Sequence, residues 1–222
     1  MTPPGVHPGQ EDDLDPAESL RLIEQQRART HDALAPDERL LFGAWGVAWF
    51  VGFGLLWLAV PGEDGPLLAL PGVVVGATFA LLLLLAGTVT AVHSIRVGRG
   101  LSGASNRTGA MYGWGWFLGF AMLPCIVMSA ERMGAPPDVT ALLWPALSGL
   151  ITGLLYVGGG AAWDDPLQFA IGAWIIVTTG VGALLGLPEL YLVLCLAGGG
   201  GFLTAAGWFA LRRSRGRCPV RP

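Results

Sequence analysis

Residue types able to do chemistry are few in this chain and scattered. His93 stands near Arg96 with no second histidine or acid at the spacing a helical metal site needs, so a structural role at a helix end is the first reading. Asp164 and Asp165 are adjacent and precede Pro166. Paired carboxylates suit general acid/base work, but no nucleophile or metal set accompanies them, and an aspartate before proline is what a helix start wants. Pairing of Asp164 or Asp165 with Arg212 or Arg213 is a second reading. Cys125, Cys195 and Cys218 have apolar neighbours or lie in a basic tail, and they read as small apolar residues rather than metal ligands or disulfide partners. No catalytic residue, metal or cofactor is expected.

The remaining polar chemistry belongs to the backbone. Gly198, Gly199, Gly200 and Gly201 are consecutive inside an apolar stretch, where each glycine costs up to about 1 kcal/mol of helix propensity. Such a run either admits a neighbouring helix backbone or marks an unwound segment, and unwound backbone at membrane depth is where transporters hold their substrates. Thr178 and Thr179 lie at mid-depth of another stretch, and Pro124 and Pro145 interrupt two more. Together these residues outline a candidate polar-backbone cavity; ordinary helix packing is the alternative.

What must position them is a membrane bundle. The 222 residues are 53% hydrophobic and only 13% charged, with mean hydropathy +0.57, whereas soluble domains carry about a quarter charged residues. Six apolar stretches, 40–60, 71–92, 111–130, 139–162, 167–187 and 190–211, contain no Asp, Glu, Lys or Arg. Each matches the ~20 residues that cross a ~30 Å hydrocarbon core. The expected fold is all-α and polytopic, six transmembrane helices arranged as three hairpins. Residues 1–39 form a tail, disordered over 1–14 and helical over about 15–34, and 212–222 form a basic tail. No segment outside the spans suits a soluble catalytic domain.

Orientation follows from the cations, because short cytoplasmic loops retain them. With the N-terminus inside, Arg21, Arg27, Arg29, Arg39, Arg96, Arg99, Arg107, Arg212, Arg213, Arg215, Arg217 and Arg221 are cytoplasmic and Arg132 alone is outside. Both termini are therefore expected in the cytoplasm of a bacterial plasma membrane. The formal net charge of -3 averages over an acidic tail and basic inner segments able to touch anionic lipid.

Glycine is the most informative residue within the spans, and the whole chain holds 34. Small residues four apart let helices approach closely, and such pairs occur at Gly72 and Gly76, Gly115 and Gly119, Gly149 and Gly153, and Gly182 and Gly186. Packing within the bundle is the first reading and a homo-oligomer seam the second. Ser148 and Thr152 lie beside the third pair and are placed to bond between helices. Gly43-Ala44-Trp45, Gly109-Ala110-Met111 and Gly172-Ala173-Trp174 open alternate spans, a pattern that would fit a weak triplication of a hairpin. Most of the nine tryptophans fall near span ends as interfacial belt residues; Trp49 and Trp174 lie deeper.

In the tail, Asp15-Pro16-Ala17-Glu18 is a helix start, and Leu20 and Ile23 give the following helix a weak apolar side for a membrane surface or a partner. The run Asp15-Pro16-Ala17-Glu18-Ser19-Leu20-Arg21-Leu22-Ile23-Glu24, with Tyr112-Gly113-Trp114 and Leu143-Trp144-Pro145-Ala146-Leu147-Ser148-Gly149, resembles a group of small six-span membrane proteins of high-GC bacteria described as transporter- or permease-like. That group offers no active residues to carry over. The layout is also similar to the permease half of ABC-2 type exporters, in which the segment from His93 to Ala110 would contact an ATPase. It departs from them in the short connection at Pro188 and Glu189 between the last two spans.

The resemblance implies a transport component working with a separate ATPase subunit, which Arg96, Arg99 and Arg107 would face, and the charge-free stretches point to a neutral or apolar solute. The rival is a regulatory or scaffold subunit acting through Leu20, Ile23 and the inner segments. Membrane lipids are partners in either case, and no nucleic acid is expected.

Overall fold

The structure, a computed structural model, describes residues 20–22, 37–60, 65–98 and 104–215. The chain divides into two units, Met1–Pro36 and Asp37–Pro222. In the first, residues 20–22 are helical and exposed. The disordered segment expected over 1–14 and the rest of the helix expected over 15–34, Ile23 included, lie outside the described residues.

Among the described residues of the second unit all regular elements are helices, and six spans are long and apolar enough to cross a membrane. They are α1 (Glu38–Ala59), α2 (Gly72–Gly98), α3 (Ala104–Arg132), α4 (Pro137–Trp163) and α5 (Pro166–Leu185). The sixth span is built from α6 (Glu189–Val193), a π-helical stretch (Leu194–Gly199) and α7 (Gly200–Arg215). The chain is therefore an integral, multi-pass membrane protein in contact with lipid.

Several ends are set by local chemistry. Asp164 takes a left-handed conformation (φ 54°) that closes α4, and the Asp165 carboxylate then accepts from the Leu167 and Gln168 N–H groups at 3.0 and 3.1 Å to start α5. Capping, the first reading of the acid pair, is what Asp165 does. Asp37 opens α1 differently. Its carboxylate pairs with Arg39 at 2.9 Å while its own N–H donates to His93 Nε2 at 2.9 Å, so His93 ties the end of α2 to the start of α1. The helices also outrun the apolar stretches. α2 continues to Gly98 and α3 begins at Ala104, so Arg96 and Arg107 stand on helix rather than in a loop.

α1 packs on α2 at one side and on the sixth span at the other; the sixth span packs on α5, α5 on α4, and α4 on α3. The spatial order is thus α2, α1, sixth span, α5, α4, α3, with α2 and α3 at the ends. Burial follows that order: 39% of the sixth span's most apolar window is buried against 11% for α2 and for α3. The core gathers on the sixth span, where Leu190, Tyr191, Leu194, Cys195 and Phe202 meet Trp49 and Phe53 of α1 and Ile175 of α5. Trp49 makes edge contacts with Phe53 at 5.4 Å and Phe202 at 5.5 Å, each such pair worth about 0.5–1.5 kcal/mol beyond its area.

Between lipid-solvated helices no hydrophobic drive exists, so close backbone contact must hold the bundle. Gly115 and Gly119 of α3 receive Leu155 and Ile151 of α4. Gly149, Gly153 and Gly160 of α4 lie against α5, and Gly182 of α5 lies against Leu190. Gly72 and Gly76 meet no neighbour, and Gly186 ends α5 at φ 86° instead of lying within a seam. Ser148 donates back to Trp144 O of its own helix at 2.7 Å, and so does not bridge two helices as its position beside the seam suggested. The three Gly-Ala openings sit in unlike surroundings: Gly43 and Gly109 meet nothing, whereas Gly172 is pressed against α4.

Candidate functional site

The glycine run lies where the sixth span changes helix type. Gly198 and Gly199 are buried, and each is a place where a side chain would collide with α1: at Gly198 a Cβ would come within 2.6 Å of the Trp49 ring, and at Gly199 it would enter the Phe50 backbone. Gly200 and Gly201 are looser, with nearest atoms 3.9 and 3.6 Å from such a Cβ. The run therefore serves both alternatives raised by its sequence in one place. Its first half admits the α1 backbone, and it belongs to a widened π stretch rather than to an unwound one.

A π turn weakens the regular backbone ladder, and side chains bond around it. The Trp174 indole N–H of α5 donates to Ala197 O at 3.0 Å, the Thr204 hydroxyl donates to Gly201 O at 2.8 Å, and the Cys195 thiol donates to Phe50 O of α1 at 3.2 Å. Trp174 is a group whose role the sequence did not disclose, since its depth suggested only a packing or wall residue.

Thr178 and Thr179 are both buried on α5. The Thr178 hydroxyl donates back to Trp174 O of its own helix at 2.8 Å, so it does not itself reach the π stretch. Thr179 points the other way, toward α4, where its Oγ1 occupies the position a Cβ on Gly149 would take. This hydroxyl has no conventional hydrogen-bond partner, and its place over the Gly149 Cα is that of a weak Cα–H···O contact between helices. Pro145, one turn before Gly149, is buried in α4, while Pro124 lies in α3. The structure therefore joins the glycine run to α5 through the Trp174 indole rather than through Thr178, and places Thr179 against the Pro145 side of α4. Pro124 is on the far helix of the order, away from both.

A polar network that the sequence reading passed over joins α3, α4 and α5. The Tyr112 hydroxyl donates to Leu155 O at 3.0 Å and accepts from Gln168 Nε2 at 3.2 Å, directly over Gly159. The visible signals were an amide in the first turn of a span and a second glycine run, Gly158 to Gly160.

Of the partner-contact residues, Leu20 is exposed on its short described helix, Arg96 is exposed in the last turn of α2, and Arg107 is exposed near the start of α3. Ile23 and Arg99 lie outside the described residues. Chemically, the arrangement offers backbone carbonyls, hydroxyls and an indole N–H, groups that hydrogen-bond neutral molecules. No family model matches the chain, and no curated protein and no solved structure matches it.

Proposed function

We propose that this protein is the permease-like transport component of a bacterial cytoplasmic membrane, moving a neutral or apolar solute with both termini cytoplasmic and a separate ATPase supplying the work. The observation that carries this reading is the composite sixth span: the most buried span is the one whose middle is π-helical and glycine-rich. Conversion of a π turn to α changes the residue count per turn and would rotate α7 relative to α6 by roughly 100°. Gly200 and Gly201 have the room for such a rotation, and Trp174 is the contact that would have to exchange. The six apolar stretches within the spans carry no Asp, Glu, Lys or Arg of the kind that proton relays and ion paths require, which favours an uncharged solute.

The test is flux. Cells with and without the chain are compared for uptake and export of a panel of labelled uncharged solutes, with Trp174→Phe as a third strain. A difference for at least one solute, altered again in the variant, is the expected result. Identical flux for every solute overturns the reading.

A further inference from the structure

α3 carries a face that the bundle does not use. At 100° per residue, Tyr112, Gly115, Trp116 and Gly119 fall on the side toward α4, and Arg107, Ala110, Trp114 and Phe117 fall on the opposite side. The contacts agree with this division: Gly115 and Gly119 meet Leu155 and Ile151, whereas Gly113, turned about 100° from Tyr112, meets nothing. On the outward face an open hollow of about 340 Å³ is lined by Ala110, Gly113, Trp114 and Phe117. The missing side chain of Gly113 makes the notch. Trp114 and Phe117, packed edge to face at 5.5 Å, form its aromatic wall, and at 62% and 61% exposure they are left open by the other described helices.

The hollow has a charged end. Arg107 is exposed, begins the membrane-crossing part of α3, and stands two turns, roughly 10 Å along the axis, before Trp114 on the same face. A cation at the membrane interface above an apolar slot that continues into the hydrocarbon is complementary to one kind of molecule, a phospholipid with an anionic headgroup. The guanidinium pairs with phosphate oxygens in a planar, bidentate manner, while an acyl chain fills the notch at Gly113. We infer that this face of α3 is a binding site for an anionic phospholipid, with Arg107 holding the headgroup phosphate and the Ala110–Gly113–Trp114–Phe117 hollow holding an acyl chain. The site is independent of transport, and it gives Arg107 a lipid-facing role distinct from that of Arg96.

The test uses the full chain purified in detergent micelles and titrated with phosphatidylglycerol or with phosphatidylcholine of identical acyl chains, bound lipids being counted by native mass spectrometry. Glycerol phosphate is added in a third arm as the headgroup without its chains. Phosphatidylglycerol is expected to be retained over phosphatidylcholine. Arg107→Gln should weaken that retention about fivefold, the worth of one interfacial cation, and Arg107→Lys should restore much of it. Gly113→Leu, which fills the notch at an exposed position, should weaken retention of both lipids without lowering the melting temperature. Equal retention of the two lipids, unchanged retention in Arg107→Gln and Gly113→Leu, or displacement by glycerol phosphate alone would each overturn the assignment. A dimer that forms through this face and excludes lipid would overturn it as well.

Discussion

Gly153 of α4 and Gly172 of α5 meet backbone to backbone: a Cβ on Gly153 would lie 2.9 Å from Gly172 O, and a Cβ on Gly172 would lie 2.7 Å from Gly153 O. The relationship is reciprocal, so neither glycine can gain a side chain without moving a whole helix. Gly149 against Thr179 and Gly160 against Phe169 extend the seam by about a turn or two in each direction. In a bilayer this proximity replaces the hydrophobic drive as the source of helix association.

Substitution at that crossing should be costly. Gly172→Leu and Gly153→Leu are expected to destabilise the purified protein at or beyond the top of the roughly 1–3 kcal/mol seen for overpacking, since backbone cannot yield as a side chain does. Gly76→Leu, at a site with no neighbour, should change stability by no more than about 0.5 kcal/mol. Thermal unfolding in detergent compares the three variants. Equal melting temperatures would show that the α4–α5 seam does not hold the bundle.

Within the glycine run the structure separates neighbours that look identical in sequence. Gly199→Leu should impair folding or function strongly, because the new side chain enters the Phe50 backbone, whereas Gly200→Leu should be mild, because the nearest atom to its new Cβ is Cys195 O of the same span, at 3.9 Å. Expression level and melting temperature of each variant decide the point. A Gly200→Leu protein as damaged as Gly199→Leu would mean that the run tolerates nothing at any of its positions.

The indole of Trp174 supplies one hydrogen bond to the π stretch, and Trp174→Phe removes it while keeping an aromatic ring. The expected loss is about 0.6 kcal/mol, the average for hydrogen bonds between membrane helices. Amide exchange over residues 194–199 should quicken in the variant as the stretch loosens. Unchanged exchange there would show that Trp174 does not steady the π turn.

Much of this architecture was legible beforehand, for a physical reason. Six charge-free stretches of bilayer length leave a chain few alternatives to six spanning helices, and Asp165 before Pro166 announces its cap. Hydropathy, however, reports contact with lipid rather than helicity, so it does not reveal the helical extensions that carry Arg96 and Arg107. Glycine spacing showed which residues permit close approach but not which partner would come. Gly149 and Gly153 found α5, while the same spacing at Gly72 and Gly76 found no partner among the described residues. The π stretch and the Tyr112–Gln168 bond were hidden because each depends on a partner from another helix, Trp174 in one case and the Gly159 notch in the other.

Orientation can be checked by thiol labelling. In a background lacking the three natural cysteines, a cysteine at Asp138, exposed in the first turn of α4, should react in intact cells with an impermeant reagent, and one at Ser105 should react only after lysis. The expectation rests on the arginines at the Ser105 end, which short cytoplasmic segments retain. Labelling of Ser105→Cys in intact cells would invert the topology and move Arg96 and Arg107 outside.

Arg96 and Leu20 separate a transport component from a scaffold. A permease receives work from an ATPase through its inner surface, and Arg96, exposed in the last turn of α2, is a described cation placed for that contact once Arg107 is taken by lipid; Arg39 and the arginines that end α7 are other cations at the same side by the arginine rule. Charge reversal in Arg96→Glu should weaken co-purification of an ATPase and lower flux while membrane insertion stays normal, since a rim charge governs association more than folding. A scaffold would depend instead on the tail. Leu20→Asp places a charge on an exposed apolar position of the tail helix and should release a bound partner whether or not any solute moves. Purification of wild type and both variants in mild detergent, with identification of the accompanying proteins, reads both effects at once. An ATPase lost in Arg96→Glu and kept in Leu20→Asp is the expected pattern; a partner lost only in Leu20→Asp, with no ATPase in any preparation, would replace the permease by the scaffold.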